Sequence, residues 1–137
     1  MKYIIEAEVP GHLGEDAVYS IDSNSWNVTK MHLVFDGWMG DDIVQILNCF
    51  LLTDEAKSLL EKSQLQGMHF ELPTITKSEE FIERQPDTIL PKFWWLKLLS
   101  DMDMLITKGG HLEASEKAMT EFRKLNLAHA SIQMKSG

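Results

Sequence analysis

A helix start between short apolar strands occurs twice in this chain, and no other feature constrains the fold as much. In the first unit, residues 50–52 form a short apolar strand, and Thr53 has the chemistry of an N-cap for a helix over residues 54–63. Two acidic residues follow Thr53, in the first turn, where the helix dipole favours negative charge. Residues 68–72 then predict a second strand, which leads away from the helix.

The second unit repeats these signals near the end of the sequence. Ser115 is its N-cap candidate, and an apolar helix face and a closing strand over residues 128–134 follow. A shift of about 62 residues superposes residues 50–72 on residues 112–134 without a gap. An internal duplication explains this match, and so does a local motif common to unrelated proteins.

Each unit has one apolar helix face and strands that cannot be buried without a partner. Both helices are therefore expected to pack on a shared sheet, which gives an α+β fold of the two-layer sandwich type. The prediction is a mainly antiparallel or mixed sheet with two principal helices. A length of 137 residues fits one domain, residues 1–137.

Other segments supply further strands and turns. Ser78 is expected to cap a short helix, and the Gly-Gly pair at residues 109–110 is expected to form a tight turn. Residues 40–42 form either a turn or the start of a short helical piece that extends to residue 47. The remaining predicted strands are 3–9, 18–21, 31–35, 93–99 and 104–107.

The charge of the chain limits its partners. Lys and Arg together number 13, Asp and Glu number 21, and the formal net charge is −8. Such a charge argues against nucleic acid and against an anionic membrane surface, because both attract clustered cations. It favours encounter with a basic protein, although simple solubility also explains it.

The sequence contains no recognisable catalytic or metal-binding motif, so no catalytic residue, cofactor or metal ligand is predicted. The five histidines lack the short spacing of a helical metal site. The acidic pairs Asp41-Asp42 and Asp101-x-Asp103 can hold a cation or exchange protons, but turns also attract aspartate because its side chain bonds the local backbone. An enzyme whose site is assembled from distant positions stays an alternative.

The tryptophans are the main candidates for contact with a protein. Adjacent residues on a strand point to opposite faces, so Trp94 and Trp95 cannot both face the same core. Exposed tryptophan is common among the residues that dominate binding energy. The predicted partner-binding residues are Trp38, Asp41, Asp42, Trp94, Trp95, Asp101 and Asp103.

The cysteine content and the hydropathy pattern favour a cytoplasmic protein. Cys49 is the single cysteine and has apolar neighbours, which predicts a buried structural thiol. The opening stretch is interrupted by Glu6 and Glu8, unlike a signal peptide. No apolar run approaches the length of a membrane span.

Five stretches between residues 40 and 134 are similar to segments of a known family. They are Gly40-Asp-Asp-Ile, Cys49-Phe-Leu-Leu-Thr-Asp-Glu-Ala-Lys, Leu90-Pro-Lys-Phe-Trp-Trp-Leu-Lys97, Ser115-Glu-Lys-Ala-Met and Leu127-Ala-His-Ala130. Together they resemble small bacterial proteins linked to polymorphic toxin systems, which are thought to act as immunity proteins. The resemblance implies a cytoplasmic protein that binds and neutralises a cognate toxin, here by an acidic face, and it carries over no catalytic residue. The alternatives are a regulatory or scaffold module, including a homodimer that closes a sheet edge, and an enzyme.

Overall fold

The computed structural model describes residues 1–135, which form thirteen strands and three helices. The strands are β1 (Lys2–Glu6), β2 (Gly11–Leu13), β3 (Val18–Asp22), β4 (Ser25–Lys30), β5 (His32–Phe35), β6 (Ile43–Ile46), β7 (Cys49–Thr53), β8 (Met68–Glu71), β9 (Thr74–Lys77), β10 (Phe93–Leu98), β11 (Met104–Ile106), β12 (Leu112–Ser115) and β13 (Ser131–Lys135). The helices are α1 (Asp54–Lys62), α2 (Glu79–Arg84) and α3 (Glu116–Phe122). The α+β class is therefore confirmed.

The strands pair into two four-stranded sheets, one three-stranded sheet and one hairpin. Sheet A has the order β11-β12-β1-β13, sheet B has the order β6-β7-β10-β8, and sheet C has the order β2-β5-β9. Strands β3 and β4 form the separate hairpin. Neighbouring strands run antiparallel except β5 and β9, which are parallel.

Sheet B separates two apolar cores, and this arrangement differs from the expected two-layer sandwich. Alternate residues of β7 face opposite sides: Phe50 lies in the main core with α1, α3 and sheet A, whereas Leu51 lies in the second core with sheet C and α2. Strand β6 is likewise buried at every position. Apolar residues on both faces of a strand require cover on both faces, so the two-layer sandwich with two principal helices is not confirmed.

The helix starts follow the cap chemistry of the sequence. The hydroxyl oxygen of Thr53 accepts a hydrogen bond from the backbone N–H of Ala56 at 3.2 Å. That of Ser115 accepts one from the backbone N–H of Ala118 at 3.1 Å. Ser78 caps α2 in the same way. These hydrogen bonds confirm the predicted helix starts. The sequence alone predicts them because capping depends only on neighbouring residues.

The short helical piece considered for residues 43–47 is a strand. Ile43 pairs with Leu52 and Ile46 with Cys49, so β6 and β7 form a hairpin at the edge of sheet B. Leu47 adopts φ +55 in the connecting turn. The β-branched residues of β6 fit a pleated surface buried on both sides, and this tertiary setting overrides the weak local helix signal.

Sheets A and B have corresponding strand orders, with a hairpin, a central strand and an edge strand in each. The central strands β1 and β10 come from outside the two units recognised in the sequence. Leu96 of β10 lies between Phe50 and Phe70, and Ile5 of β1 lies between Leu112 and Ile132. The shift of about 62 residues that superposes the two sequence units takes Phe50 to Leu112 and Phe70 to Ile132. The same shift therefore relates the two residues that flank Leu96 to the two residues that flank Ile5.

The hairpin of β3 and β4 has a two-residue turn in which both central residues adopt positive φ. Ser23 has φ 49 and Asn24 has φ 66, between the paired residues Asp22 and Ser25. Two consecutive left-handed residues define a type I′ turn, whose twist matches the flanking strands. Serine is not favoured in that conformation, so the turn is not optimal.

We expect the double substitution Ser23→Asn and Asn24→Gly to raise the free energy of unfolding by about 0.5–1 kcal/mol, because Asn-Gly is the preferred pair for this turn. Urea unfolding monitored by circular dichroism measures the change. Ser25→Gly, in the extended part of β4, is the matched control and should destabilise by about 0.5–1 kcal/mol. Equal effects of the two changes would contradict the assigned turn.

Candidate functional site

Two carboxylates and one imidazole from distant segments meet beside sheet B. Glu8, Asp41 and His129 each offer a ligand atom, and these atoms lie within 4.8 Å of one another. Glu8 follows β1, where the chain leaves sheet A and passes beside β6, and its carbonyl oxygen accepts a hydrogen bond from the backbone N–H of Gln45. Asp41 precedes β6, and His129 lies between α3 and β13.

Asp41 and Asp42 hold the loop of residues 126–129 in place. Asp41 is fully buried; its Oδ2 accepts the backbone N–H of His129 at 2.9 Å, and its Oδ1 accepts the Nδ1–H of the same residue at 2.8 Å. Asp42 Oδ2 accepts the backbone N–H of Asn126 at 2.8 Å, while its Oδ1 accepts the hydroxyl of Thr53. Both carboxylates are therefore occupied in fixing the polypeptide.

The two oxygens of the Glu8 carboxylate differ in their hydrogen bonding. Its Oε2 accepts the backbone N–H of Met39 at 2.9 Å. Its Oε1 is buried and has no hydrogen-bond partner within residues 1–135. Burial raises the pKa of this carboxyl above its ordinary value, and the backbone N–H groups of Met39 and Asp41 offset part of that shift.

A groove of about 670 Å³ opens beside this cluster. Trp38 forms part of its wall and is rigidly held. Gln85 accepts the backbone N–H of Trp38 and donates to its carbonyl oxygen, and the Trp38 indole N–H donates to the carbonyl oxygen of Asp41. Its lining includes Glu8, Pro10, Trp38, Met39, Gln85 and His129.

A second surface is the apolar face of the β3–β4 hairpin, formed by Tyr19, Ile21 and Trp26. Ile21 lies opposite Trp26, and the rings of Tyr19 and Trp26 have centroids 5.1 Å apart. Tyr19 is 49% exposed and Ile21 is 55% exposed. Val28, opposite Tyr19, lies in the second core and attaches this face to the body of the protein.

The residues predicted to bind a partner do not form one patch. Trp38 lines the groove, whereas Asp41 is buried beneath His129 and Asp42 is engaged with Thr53 and Asn126. Asp101 is exposed in the connection between β10 and β11, whereas Asp103 accepts the backbone N–H of Gln66. These residues therefore lie at separate locations and have separate structural roles.

Trp94 and Trp95 face opposite sides of sheet B, as strand geometry predicts. Trp95 is 4% exposed and packs in the second core, so it offers no surface to a partner in this structure. Trp94 is half-buried, donates to Asp54 Oδ1 at 2.8 Å and lies beside the ammonium groups of Lys57 and Lys92. Of the two, only Trp94 retains exposed area.

Glu8, His129 and the hairpin face are absent from the residues selected in the sequence. Alternation along the first strand places Glu6 and Glu8 together on the solvent side, but β1 ends at Glu6 and the chain then crosses toward β6. No spacing rule connects Glu8 with His129. Tyr19 and Trp26 on either side of a turn signal were the one usable clue to the hairpin face.

The buried thiol predicted for Cys49 is confirmed. Its side chain lies in the second core at 7% exposure, and burial raises its pKa to about 11. A thiol with this pKa is almost wholly protonated at neutral pH and is a poor nucleophile. Cys49 therefore belongs to the packing and not to the candidate site.

Comparison with known proteins assigns no family. No protein-family model matches the chain, and no curated protein or solved structure matches it significantly. Within residues 1–135, no helix has the length and apolar character needed to cross a membrane. Inferences about function therefore depend on the surfaces described above and on the resemblance in the sequence.

Proposed function

We propose that this chain is a non-enzymatic, immunity-type protein that binds and neutralises a basic toxin domain, and that the apolar face of the β3–β4 hairpin is its main contact. The observation that carries the proposal is the exposure of Tyr19 and Ile21, which lie beside the half-buried Trp26 on this face. Grouped apolar side chains at the surface often mark a site of contact with another protein. Tyrosine and tryptophan are also the residue types that contribute most to protein interfaces.

The charges around the hairpin suit a basic partner. Glu15 and Asp16 are exposed before β3, and Asp22 is exposed at the turn. Lys30 is the only cationic residue between positions 15 and 30. With a net charge of −8 for the chain, this distribution favours electrostatic attraction of a basic surface, followed by burial of the apolar face.

The toxin assignment derives from the resemblance of residues 40–134 to immunity proteins, and the hairpin supplies the surface. The proposal includes a cytoplasmic location, in which the single thiol of Cys49 stays reduced. Neutralisation requires only that the bound protein blocks access to the toxin site. No group on this chain has to react.

We expect the wild-type protein to restore growth of bacteria that express the toxic C-terminal domain encoded beside its gene. Tyr19→Ala and Ile21→Ala should each weaken binding to that domain by at least about tenfold, measured by isothermal titration calorimetry. Both side chains are about half exposed, so the fold should persist in the variants.

Ile89→Ala is the matched control, because Ile89 is 88% exposed and lies outside the hairpin. It should bind as the wild type does. If the adjacent genes encode no toxin, or if the wild-type protein neither binds nor rescues, the immunity-type function is wrong. If binding occurs but ignores both hairpin substitutions, the assigned surface is wrong.

A scaffold module that forms a homodimer is the second candidate, and the edge strand β13 is the observation that favours it. All five residues of β13 are exposed, and only β1 pairs with it within residues 1–135. An open edge of this kind can pair with a second copy. A mass that doubles with concentration in light scattering, without toxin binding, would support this candidate.

A further inference from the structure

The two carboxylates of the cluster share one arrangement. In each, a backbone amide holds one oxygen: Met39 N–H holds Glu8 Oε2, and His129 N–H holds Asp41 Oδ2, both at 2.9 Å. Of the other two oxygens, Glu8 Oε1 has no partner among residues 1–135, whereas Asp41 Oδ1 accepts the Nδ1–H of His129, so a metal ion replaces that hydrogen bond when it binds. Backbone hydrogen bonds that orient carboxylates in this way are typical of the supporting contacts around metal ligands.

The unpartnered oxygen of Glu8 indicates that a ligand completes the cluster. Glu8 is only 9% exposed, and its Oε1 has no hydrogen-bond partner among the described residues. A buried carboxylate oxygen without a partner is costly, because it has lost its hydration without compensation. A cation in contact with Oε1 removes this cost and also balances the charge of the neighbouring Asp41.

The donor set of one imidazole nitrogen and two carboxylate oxygens selects the type of cation. Calcium and magnesium prefer shells made wholly of oxygen, whereas zinc accepts both nitrogen and oxygen ligands. Tetrahedral zinc places its ligands about 3.3 Å apart. His129 Nδ1 and Asp41 Oδ1 form a direct hydrogen bond of 2.8 Å, so zinc binding requires the loss of its proton and a turn of the Asp41 carboxylate away from the ring nitrogen. The ligand atoms of the cluster lie within 4.8 Å of one another and have to draw closer around the ion.

The surroundings provide access and room for a fourth ligand. The side chain of His129 is 42% exposed, and both His129 and Glu8 line the groove. A zinc ion can enter from this side and keep a water molecule as its remaining ligand.

We propose that Glu8, Asp41 and His129 bind one zinc ion. The ion links three chain segments: the one that follows β1, the turn before β6, and the loop between α3 and β13. Zinc binding therefore stabilises the region where these segments meet. The site lies apart from the hairpin face and is independent of the proposed function.

Zinc itself is the probe in the test. The full chain is stripped with a chelator, dialysed and titrated with Zn²⁺ in a calorimeter, and the visible spectrum of the Co²⁺ form reports the ligand geometry. We expect one ion per chain, and Glu8→Gln and His129→Gln should each weaken binding by at least about tenfold. At a zinc concentration near the wild-type Kd, zinc should raise the Tm of the wild type clearly and that of Glu8→Gln by much less.

His69→Gln is the matched control. His69 is an exposed histidine 3.5 Å from Glu71, without a third ligand residue nearby in the described chain, and its loss should leave zinc binding unchanged. Melting curves in chelator show whether each variant is folded, and the two ligand substitutions provide independent tests. Absence of stoichiometric binding, or equal binding by the wild type and both folded ligand variants, would overturn the proposal.

Discussion

Deletion of residues 2–6, which form β1, is expected to abolish cooperative unfolding, although short terminal deletions are usually harmless. Strand β1 is the second-to-last strand of sheet A and lies between β12 and β13. Its removal leaves both neighbours without their shared partner and takes Tyr3 and Ile5 out of the main core. Thermal melting followed by circular dichroism should show no sharp transition.

Deletion of residues 131–135 is the comparison, because β13 is the exposed edge of the same sheet. That variant should retain a cooperative transition at a lower temperature. A wild-type transition after deletion of β1 would contradict the central position of this strand.

Two isoleucines that face each other across β1 and β13 allow a milder version of this test. Ile5 is fully buried and Ile132 is 39% exposed. Ile5→Ala should lower the free energy of unfolding by about 2–5 kcal/mol, because it leaves a cavity in the core. Ile132→Ala should cost less than about 1 kcal/mol, since a half-exposed side chain leaves no closed cavity.

The parts of the fold that the sequence predicts are those set by neighbouring residues. Thr53, Ser78 and Ser115 cap their helices because an N-cap involves only the next three residues. The order of the strands in a sheet depends instead on residues that are far apart in the sequence. The pairing of β1 with β12 joins opposite ends of the chain, and no local signal specifies which strand takes this central position.

The same limit explains the incomplete prediction of the site. The sequence predicts a turn or a helix start at Asp41 and Asp42, and the structure has an irregular connection with bends before β6. Their partners His129 and Asn126 come from a loop far along the sequence. Glu8 belongs to the strand predicted for residues 3–9, but β1 ends at Glu6 and the chain then passes from sheet A toward β6.

The relation between sheets A and B bears on the two explanations of the sequence repeat. A common local motif accounts for a hairpin followed by a capped helix. It does not account for the matching register of the two sheets. In each sheet, residues that correspond in the two sequence units lie on either side of one residue of the central strand, Leu96 in sheet B and Ile5 in sheet A. The correspondence therefore favours an internal duplication in which each sheet receives its central strand from outside its own unit.

The substitution Gln45→Leu is expected to lower the free energy of unfolding by about 2–4 kcal/mol, although it replaces a polar side chain in the interior by an apolar one. Gln45 is 8% exposed, and its Oε1 accepts the backbone N–H of Ala7 at 3.1 Å. Its Nε2 donates to the carbonyl oxygens of Leu47 at 2.7 Å and Gly110 at 3.0 Å. The side chain thus joins β6 to the segment after β1 and to the turn between β11 and β12.

Leucine removes all three hydrogen bonds and leaves their backbone partners without compensation. Each lost bond costs about 1 kcal/mol, and each buried group left without a partner adds its own desolvation penalty. The apolar surface gained by leucine offsets part of this loss. Urea unfolding should therefore show a lower midpoint with an unchanged slope, because the extent of unfolding stays the same.

Gln133→Leu is the matched control, since Gln133 is an exposed glutamine in the edge strand β13. It should change stability by no more than about 0.5 kcal/mol. Equal effects at the two positions would mean that the hydrogen bonds of Gln45 contribute nothing beyond those of any glutamine on a strand. A large effect at Gln45 alone would show that one side chain secures the contact between sheet B and the turn of sheet A.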